Sequence, residues 1–192
     1  MRKPFRAKDL SIIGLFTAIT VVFAQIAIPL PVTPMPVSFG SVAVYSTGLL
    51  LKPKHAFFTQ LSYLAIGAVG MPVFGNARGG ISALLGPTGG YLIVYPIMAV
   101  VVSMMSNSRQ SQLGESQPDK KWNRIKASFS LCIALIILYT GGTAWFIIMS
   151  GNSLQAALVL TVYPFISLDM IKIAFCVIVI VPLRSRIPSM NS

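Results

Sequence analysis

The sequence predicts an all-α membrane protein: a single domain over residues 1–192, built as a bundle of six transmembrane helices with both termini cytoplasmic and a glycine-rich outer loop between helices 3 and 4. Three observations predict it. Of the 192 residues 55% are hydrophobic and only 10% charged, and the mean hydropathy is +0.78, too apolar for the surface of a soluble domain this long. Six apolar stretches are long enough to cross or nearly cross a bilayer, which takes about 20 helical residues. The net charge of +11 is carried in tight clusters between those stretches. That is a topology signal, not the spread basic face that nucleic acid requires, so membrane lipid is an expected partner and nucleic acid is not.

The stretches fall near 10–30, 37–51, 55–70, 88–106, 126–149 and 168–184. The first follows MRKPFRAK, and its apolar run exceeds the roughly 7–15 residues of a cleaved signal peptide, so it reads as a retained helix. Between the first two spans, IPLPVTPMPVS places prolines at 29, 31, 34 and 36, which gives a stiff, extended connection. Two readings of it stand: a rigid spacer, or a wall or lid of an outer pocket. The polar segment 107–126 between spans four and five reads as a solvated cytoplasmic linker.

With both termini inside, thirteen of the fifteen lysines and arginines lie on the cytoplasmic side, as the positive-inside rule requires. Arg2, Lys3, Arg6 and Lys8 precede span one, and Lys52 and Lys54 separate spans two and three. Arg109, Lys120, Lys121, Arg124 and Lys126 separate spans four and five, and Arg184 and Arg186 follow span six. Arg78 and Lys172 are left over, both on the outer side. Lys172 stands three residues after Asp169, the one acidic residue inside a predicted span, since Asp9 is at the edge of span one and Glu115 and Asp119 are in the cytoplasmic linker. A charge at the centre of a membrane helix costs about 2.5–3.5 kcal/mol, and the i, i+3 spacing puts both groups on one face. Either Asp169 and Lys172 satisfy only each other near the interface while Arg78 anchors to headgroups, or the three charges share a polar site.

The irregular backbone beside them favours the shared site. PVFGNARGGISALLGPTGGYL, residues 72–92, holds six glycines and two prolines. Non-helical backbone at membrane depth is tolerated only where it is buried in protein or lines a cavity, so this segment reads as a loop folded over a pocket that launches span four at GPTGGYL. Backbone N–H groups there could receive a ligand oxygen; close helix packing through Gly89 and Gly90 is the other reading.

Several function classes are excluded. No G-x-x-x-x-G-K-[ST], G-x-S-x-G or H-E-x-x-H occurs, so the chain carries no nucleotide-binding or hydrolase signature, and the single histidine, His55, has no neighbours for a metal site or a catalytic relay. No enzyme activity, metal or cofactor is expected. Cys132 and Cys176 lie within apolar runs and read as packing residues without a disulfide. Any ATP-driven step must come from another chain, for which Gly14 and Ala18, a small-xxx-small pair on span one, offer a docking face. An alternative is a small autonomous secondary transporter or channel for a small solute, with Asp169 and Lys172 as ion or proton ligands.

Four stretches, LFTAITVVFAQIAIPLP, PVSFGSVAVYSTGLLL, GMPVFGNARGGISALLGPTGGYL and PFISLDMIK, carry a family resemblance. Over nearly its whole length the chain resembles the BioY family, the biotin-specific substrate-capture (S) components of energy-coupling factor transporters. The resemblance implies a multi-pass protein of the bacterial plasma (inner) membrane that captures biotin, its transported ligand, from the outer side. It further implies as partners an energy-coupling transmembrane subunit and two ATPase subunits. Substrate-binding residues would be Asn76, Arg78, Gly89, Gly90, Tyr91, Asp169 and Lys172, with Phe74 an apolar wall. Two departures stand out: Ser167 and Leu168 replace a proline-glycine pair before the aspartate, which questions the local bend, and Gly40 stands where a pocket glutamine is common.

Overall fold

The computed structural model describes residues 6–28, 33, 35–107 and 120–186, with 107, 120–123 and 184–186 described by backbone alone. Arg2, Lys3, Pro29, Pro31, Pro34, Arg109, Glu115 and Asp119 lie outside the described residues. The first helix, α1 (Ala7–Gln25), opens with the Asp9 carboxylate accepting the Arg6 N–H at 2.9 Å. It turns Ile13, Phe16, Thr17, Thr20 and Ala24 inward while Leu10, Leu15 and Val22 face outward. A helix apolar on all sides is the signature of a membrane span. Two short strands, β1 (Ala27–Ile28) and β2 (Val37–Ser38), then pair antiparallel, Ala27 opposite Ser38, and clasp the two ends of the proline segment.

The second and third expected spans are present but shorter than a bilayer crossing. The structure has α2 (Gly40–Leu50) and α3 (Pro53–Ala68), of 11 and 16 residues, against a minimum of about 17 for a spanning helix. Among the described residues four runs are long and apolar enough to cross: 7–25, 89–106, 124–150 and 166–183. The physical reason lies in burial. Every residue of α2 from Gly40 to Leu49 is buried, so protein, not lipid, satisfies its surface, and the bilayer does not set its length. A polar knot stitches the three helices together: Gln60 of α3 donates to Thr20 of α1 at 3.3 Å and to Thr47 of α2 at 3.2 Å.

Beyond α3 the glycine-rich segment is an irregular cap made of a 3₁₀ turn at Gly75–Ala77 and the short α4 (Ile81–Leu85). The fourth expected span is divided into α5 (Gly89–Ile93) and α6 (Tyr95–Asn107), and the fifth is α7 (Lys120–Ser150). At 31 residues and 1.5 Å per residue, α7 is about 46 Å long, well beyond a hydrocarbon core of about 30 Å. After α8 (Leu154–Thr161), the chain bends over Val162–Phe165 into α9 (Ile166–Phe175). A π turn at Cys176–Ile180 then leads to α10 (Val181–Arg186), just ahead of Pro182, which has no N–H to continue an α ladder.

The bundle has two chemically distinct ends. At one, Asp9 of α1 meets His55 of α3 at 3.1 Å, and the Ser103 hydroxyl of α6 donates to the Leu51 carbonyl. This gathers Arg6, Lys8, Lys52 and Lys54 where α6 ends. The other end holds the β1–β2 clasp, the glycine-rich cap and the start of α9.

Candidate functional site

A cavity of about 120 Å³ opens at this second end. One wall comes from the end of the proline segment, Met35, Pro36 and Ser38, and from Ser41 at the start of α2. Thr33 tethers that segment to α8 by donating to the Leu160 carbonyl at 2.7 Å, and it accepts the Met35 N–H at 3.2 Å. Six aromatic rings also line it: Tyr63, Phe74, Tyr91, Tyr95, Tyr139 and Phe165. Tyr63 is met edge-on by Phe74 at 5.4 Å and stacked by Tyr95 at 6.4 Å, so these three rings fix one another. The Tyr63 hydroxyl is buried and has no hydrogen-bond partner among the described residues.

The charged end of the cavity is Asp169 and Lys172, 4% and 6% exposed. Their i, i+3 spacing on α9 brings Lys172 Nζ to 2.8 Å from Asp169 Oδ1. Nζ also donates to the Ser38 carbonyl at 2.8 Å and to the Ser41 hydroxyl at 3.4 Å, and it lies 5.8 Å from the centre of the Phe39 ring. An ammonium has three N–H donors, so all three are engaged by protein. Asp169 differs: Oδ1 accepts Lys172, Oδ2 accepts the Tyr139 hydroxyl at 2.7 Å, and each carboxylate oxygen keeps a further lone pair. The pair therefore offers acceptors to a ligand, with Lys172 compensating the carboxylate that a desolvated site would otherwise not tolerate.

Arg78 brings N–H donors to the same cavity. It lines the cavity from an exposed position at the cap, and among the described residues its guanidinium makes no hydrogen bond or ion pair. Its backbone pairs with that of Phe74 across the 3₁₀ turn, at 2.9 and 3.2 Å, which presents both residues to the same space.

Tyr91 also lines the cavity, 8% exposed, its hydroxyl 3.0 Å from the Thr143 hydroxyl. Its ring sits over Gly142 of α7, and a side chain there would collide with it. Gly89, Gly90 and Asn76, the other expected binding residues, are not among the lining residues. A Cβ on Gly90 would strike Trp145, and one on Gly89 would strike the Leu84 backbone, so both glycines serve close packing. Asn76 is exposed and left-handed, φ 61° and ψ 37°. The structure thus brings Arg78, Tyr91, Asp169 and Lys172 together. Residue types alone missed Ser38, Ser41, Tyr63, Tyr95 and Tyr139, whose apolar or loop settings look like packing until the fold turns them toward the cavity.

The two sequence departures also resolve. The bend before α9 is made at Val162–Phe165, around Pro164, so Ser167 and Leu168 need not supply it. Gly40 leaves room for Ser38 and Tyr95: a Cβ there would lie 3.2 Å from the Ser38 hydroxyl and 3.3 Å from that of Tyr95. On α1, Gly14 has open space where a Cβ would be, and Ala18 is exposed on the same face.

Comparison with known proteins gives a consistent result. A probable biotin transporter BioY of Pyrococcus horikoshii is 35% identical over 91% of this chain and 94% of its own. Biotin transporter BioY2 of Lactococcus lactis is 31% identical over 85% of this chain and 83% of its own. The solved S-component for biotin from an ECF-type ABC transporter shares the fold, with a TM-score of 0.79 at 24% identity over 96% of this chain and 95% of that one. The BioY family model matches residues 1–189, and the chain belongs to the BioY family.

Proposed function

We propose that the chain is the biotin-binding S component of an energy-coupling factor transporter, a multi-pass transporter subunit and not an enzyme. It captures biotin from outside the bacterial plasma membrane and delivers it with an energy-coupling transmembrane subunit and two ATPase subunits. The observation that carries this reading is the buried Asp169–Lys172 pair opening into an aromatic cavity, at the end of the bundle opposite Arg6, Lys8, Lys52 and Lys54. The basic end is cytoplasmic by the positive-inside rule, which puts the cavity outside. On this reading α2 and α3 complete six membrane helices, with both termini cytoplasmic by the positive-inside rule.

Biotin has a flat ureido group with two N–H donors and a carbonyl, an apolar sulfur ring and a carboxylate on a flexible chain. Asp169 accepts a ureido N–H, since its oxygens keep free lone pairs, and Tyr91 packs with the other rings against the bicycle. Arg78, with five N–H donors and no protein partner among the described residues, meets the carboxylate. Lys172 pairs with Asp169 and holds its carboxyl group in place. Gly14 and Ala18 let a coupling-subunit helix approach α1 closely.

Purified protein should bind labelled biotin without ATP. In the Asp169→Asn variant affinity should fall at least a hundredfold, about 2.7 kcal/mol, while Lys52→Ala leaves it unchanged. Saturable binding that Asp169→Asn does not weaken would remove this site.

A further inference from the structure

We infer that Gln25, the last residue of α1, is a positioning residue that latches the cap over the cavity. The inference rests on the biotin-capture reading for its functional consequence, but the latch itself is a matter of geometry. The Gln25 amide nitrogen donates to the carbonyls of Pro72 at 3.1 Å and Phe74 at 3.2 Å, and its amide oxygen accepts the Ala77 N–H at 3.1 Å. One side chain thus uses both N–H groups and its carbonyl on a single loop, 47 to 52 residues away.

That loop needs an external hold. Asn76 and Ala77 both have positive φ, 61° and 54°, a conformation that asparagine tolerates and alanine disfavours. Residues in such regions persist only where their surroundings over-determine them. The Phe74–Arg78 backbone bridge closes the turn from within, and Gln25 supplies the partner for the Ala77 N–H. On one side of the turn Phe74 is seated against α3, its ring filling the space left by Gly67. On the other, Arg78 projects from an exposed position with no such packing anchor. Gln25 fixes the tip between them, and so fixes where Phe74 and Arg78 stand in the cavity wall.

The latch acts on residence time more than on encounter. A cap freed from α1 lets ligand in as readily as before but opens more often, so the effect belongs in the dissociation rate. It also predicts a chemical asymmetry. Glutamate at this position keeps an acceptor for Ala77 but loses both donors, and it sets a carboxylate against the Pro72 and Phe74 carbonyls.

The test uses the full chain in lipid nanodiscs. In Gln25→Ala, amide hydrogen exchange at Ala77 should accelerate at least tenfold while exchange in α6 and α7 stays as in the parent; this readout needs no biotin. With labelled biotin, Gln25→Ala should raise the dissociation rate about tenfold, equivalent to about 1.4 kcal/mol, with an association rate within twofold of the parent. Gln25→Glu should dissociate at least as fast as Gln25→Ala. A parent-like Ala77 exchange rate in Gln25→Ala overturns the latch whatever biotin does. Parent-like dissociation in either variant overturns its role in retention. A parent chain that binds no biotin, with Ala77 exchange still accelerated in Gln25→Ala, overturns the ligand assignment and leaves the latch standing.

Discussion

The Tyr139 hydroxyl donates to Oδ2 of Asp169 at 2.7 Å, from the middle of α7 to the first turns of α9. With Lys172 on Oδ1 at 2.8 Å, the carboxylate is held at both oxygens by groups from two helices, and its rotation is not left free. A ligand N–H that bonds Asp169 meets an acceptor already aimed, which lowers the ordering cost of binding. Hydrogen bonds to charged groups contribute about 1.5–3 kcal/mol.

Removing only that hydroxyl is the cleanest check. Tyr139→Phe keeps the ring in the cavity wall and should weaken biotin binding by about 1.5–3 kcal/mol, roughly ten- to a hundredfold, as measured by titration. The thermal stability of the unliganded protein should fall far less than in Asp169 variants. Unchanged affinity would show that the Tyr139 contact does not organise the site.

The buried ion pair makes a sharper prediction about stability. Breaking such a pair from one side leaves an uncompensated charge and costs about 3–5 kcal/mol, while replacing both partners together is often neutral. Asp169→Asn and Lys172→Met should each destabilise the unliganded protein strongly, and the double variant should recover most of the loss. All three should bind biotin poorly. A double variant whose destabilisation equals the sum of the singles, in denaturant titrations of the protein in micelles, would mean that the two charges do not compensate each other.

How much of this was legible in the sequence follows from which forces act locally. The clusters Arg6–Lys8 and Lys52–Lys54 declare their end of the bundle because the membrane reads charge segment by segment. Asp169 and Lys172 declare themselves because a charge inside an apolar run has to be accounted for. Ser38, Ser41 and Tyr139 gave no such sign, since a serine after a proline segment and a tyrosine in an apolar helix are ordinary. Their roles exist only once β2, α2 and α7 come beside α9. Apolarity was a poor measure of helix length for the same reason: α2 is apolar because it is buried in protein, and it ends after 11 residues. GPTGGYL stands out in the sequence by its glycines, but Gly89 and Gly90 admit Leu84 and Trp145 and do not line the cavity.

Close packing at α5 and α7 can be tested directly. Gly142 has no room for a side chain because the Tyr91 ring lies against it. Gly142→Val should destabilise the protein by about 1–3 kcal/mol through overpacking and displace Tyr91 from the cavity wall, lowering biotin affinity as well. Gly14 has open space at the same atom, so Gly14→Leu should leave both stability and biotin binding intact. If α1 is the docking face, that variant fails only in assembly with the coupling subunit, read by co-purification. Loss of biotin binding in Gly14→Leu would place that face within the site.

The last prediction separates the two cations. Lys172 has committed its three donors to Asp169, Ser38 and Ser41, whereas Arg78 stands at the cavity with none engaged among the described residues. If Arg78 meets the ligand carboxylate, Arg78→Gln should weaken biotin by about 1.5–3 kcal/mol, the range for a charge-assisted hydrogen bond. It should leave the methyl ester of biotin, which carries no negative charge, bound about as well as by the parent. Lys172→Met should weaken acid and ester alike, because it acts through Asp169 on the ureido end. Competition titrations of the two ligands against labelled biotin supply the comparison. An ester preference that appears in Lys172→Met but not in Arg78→Gln would reverse the assignment, turning the ligand end for end in the cavity.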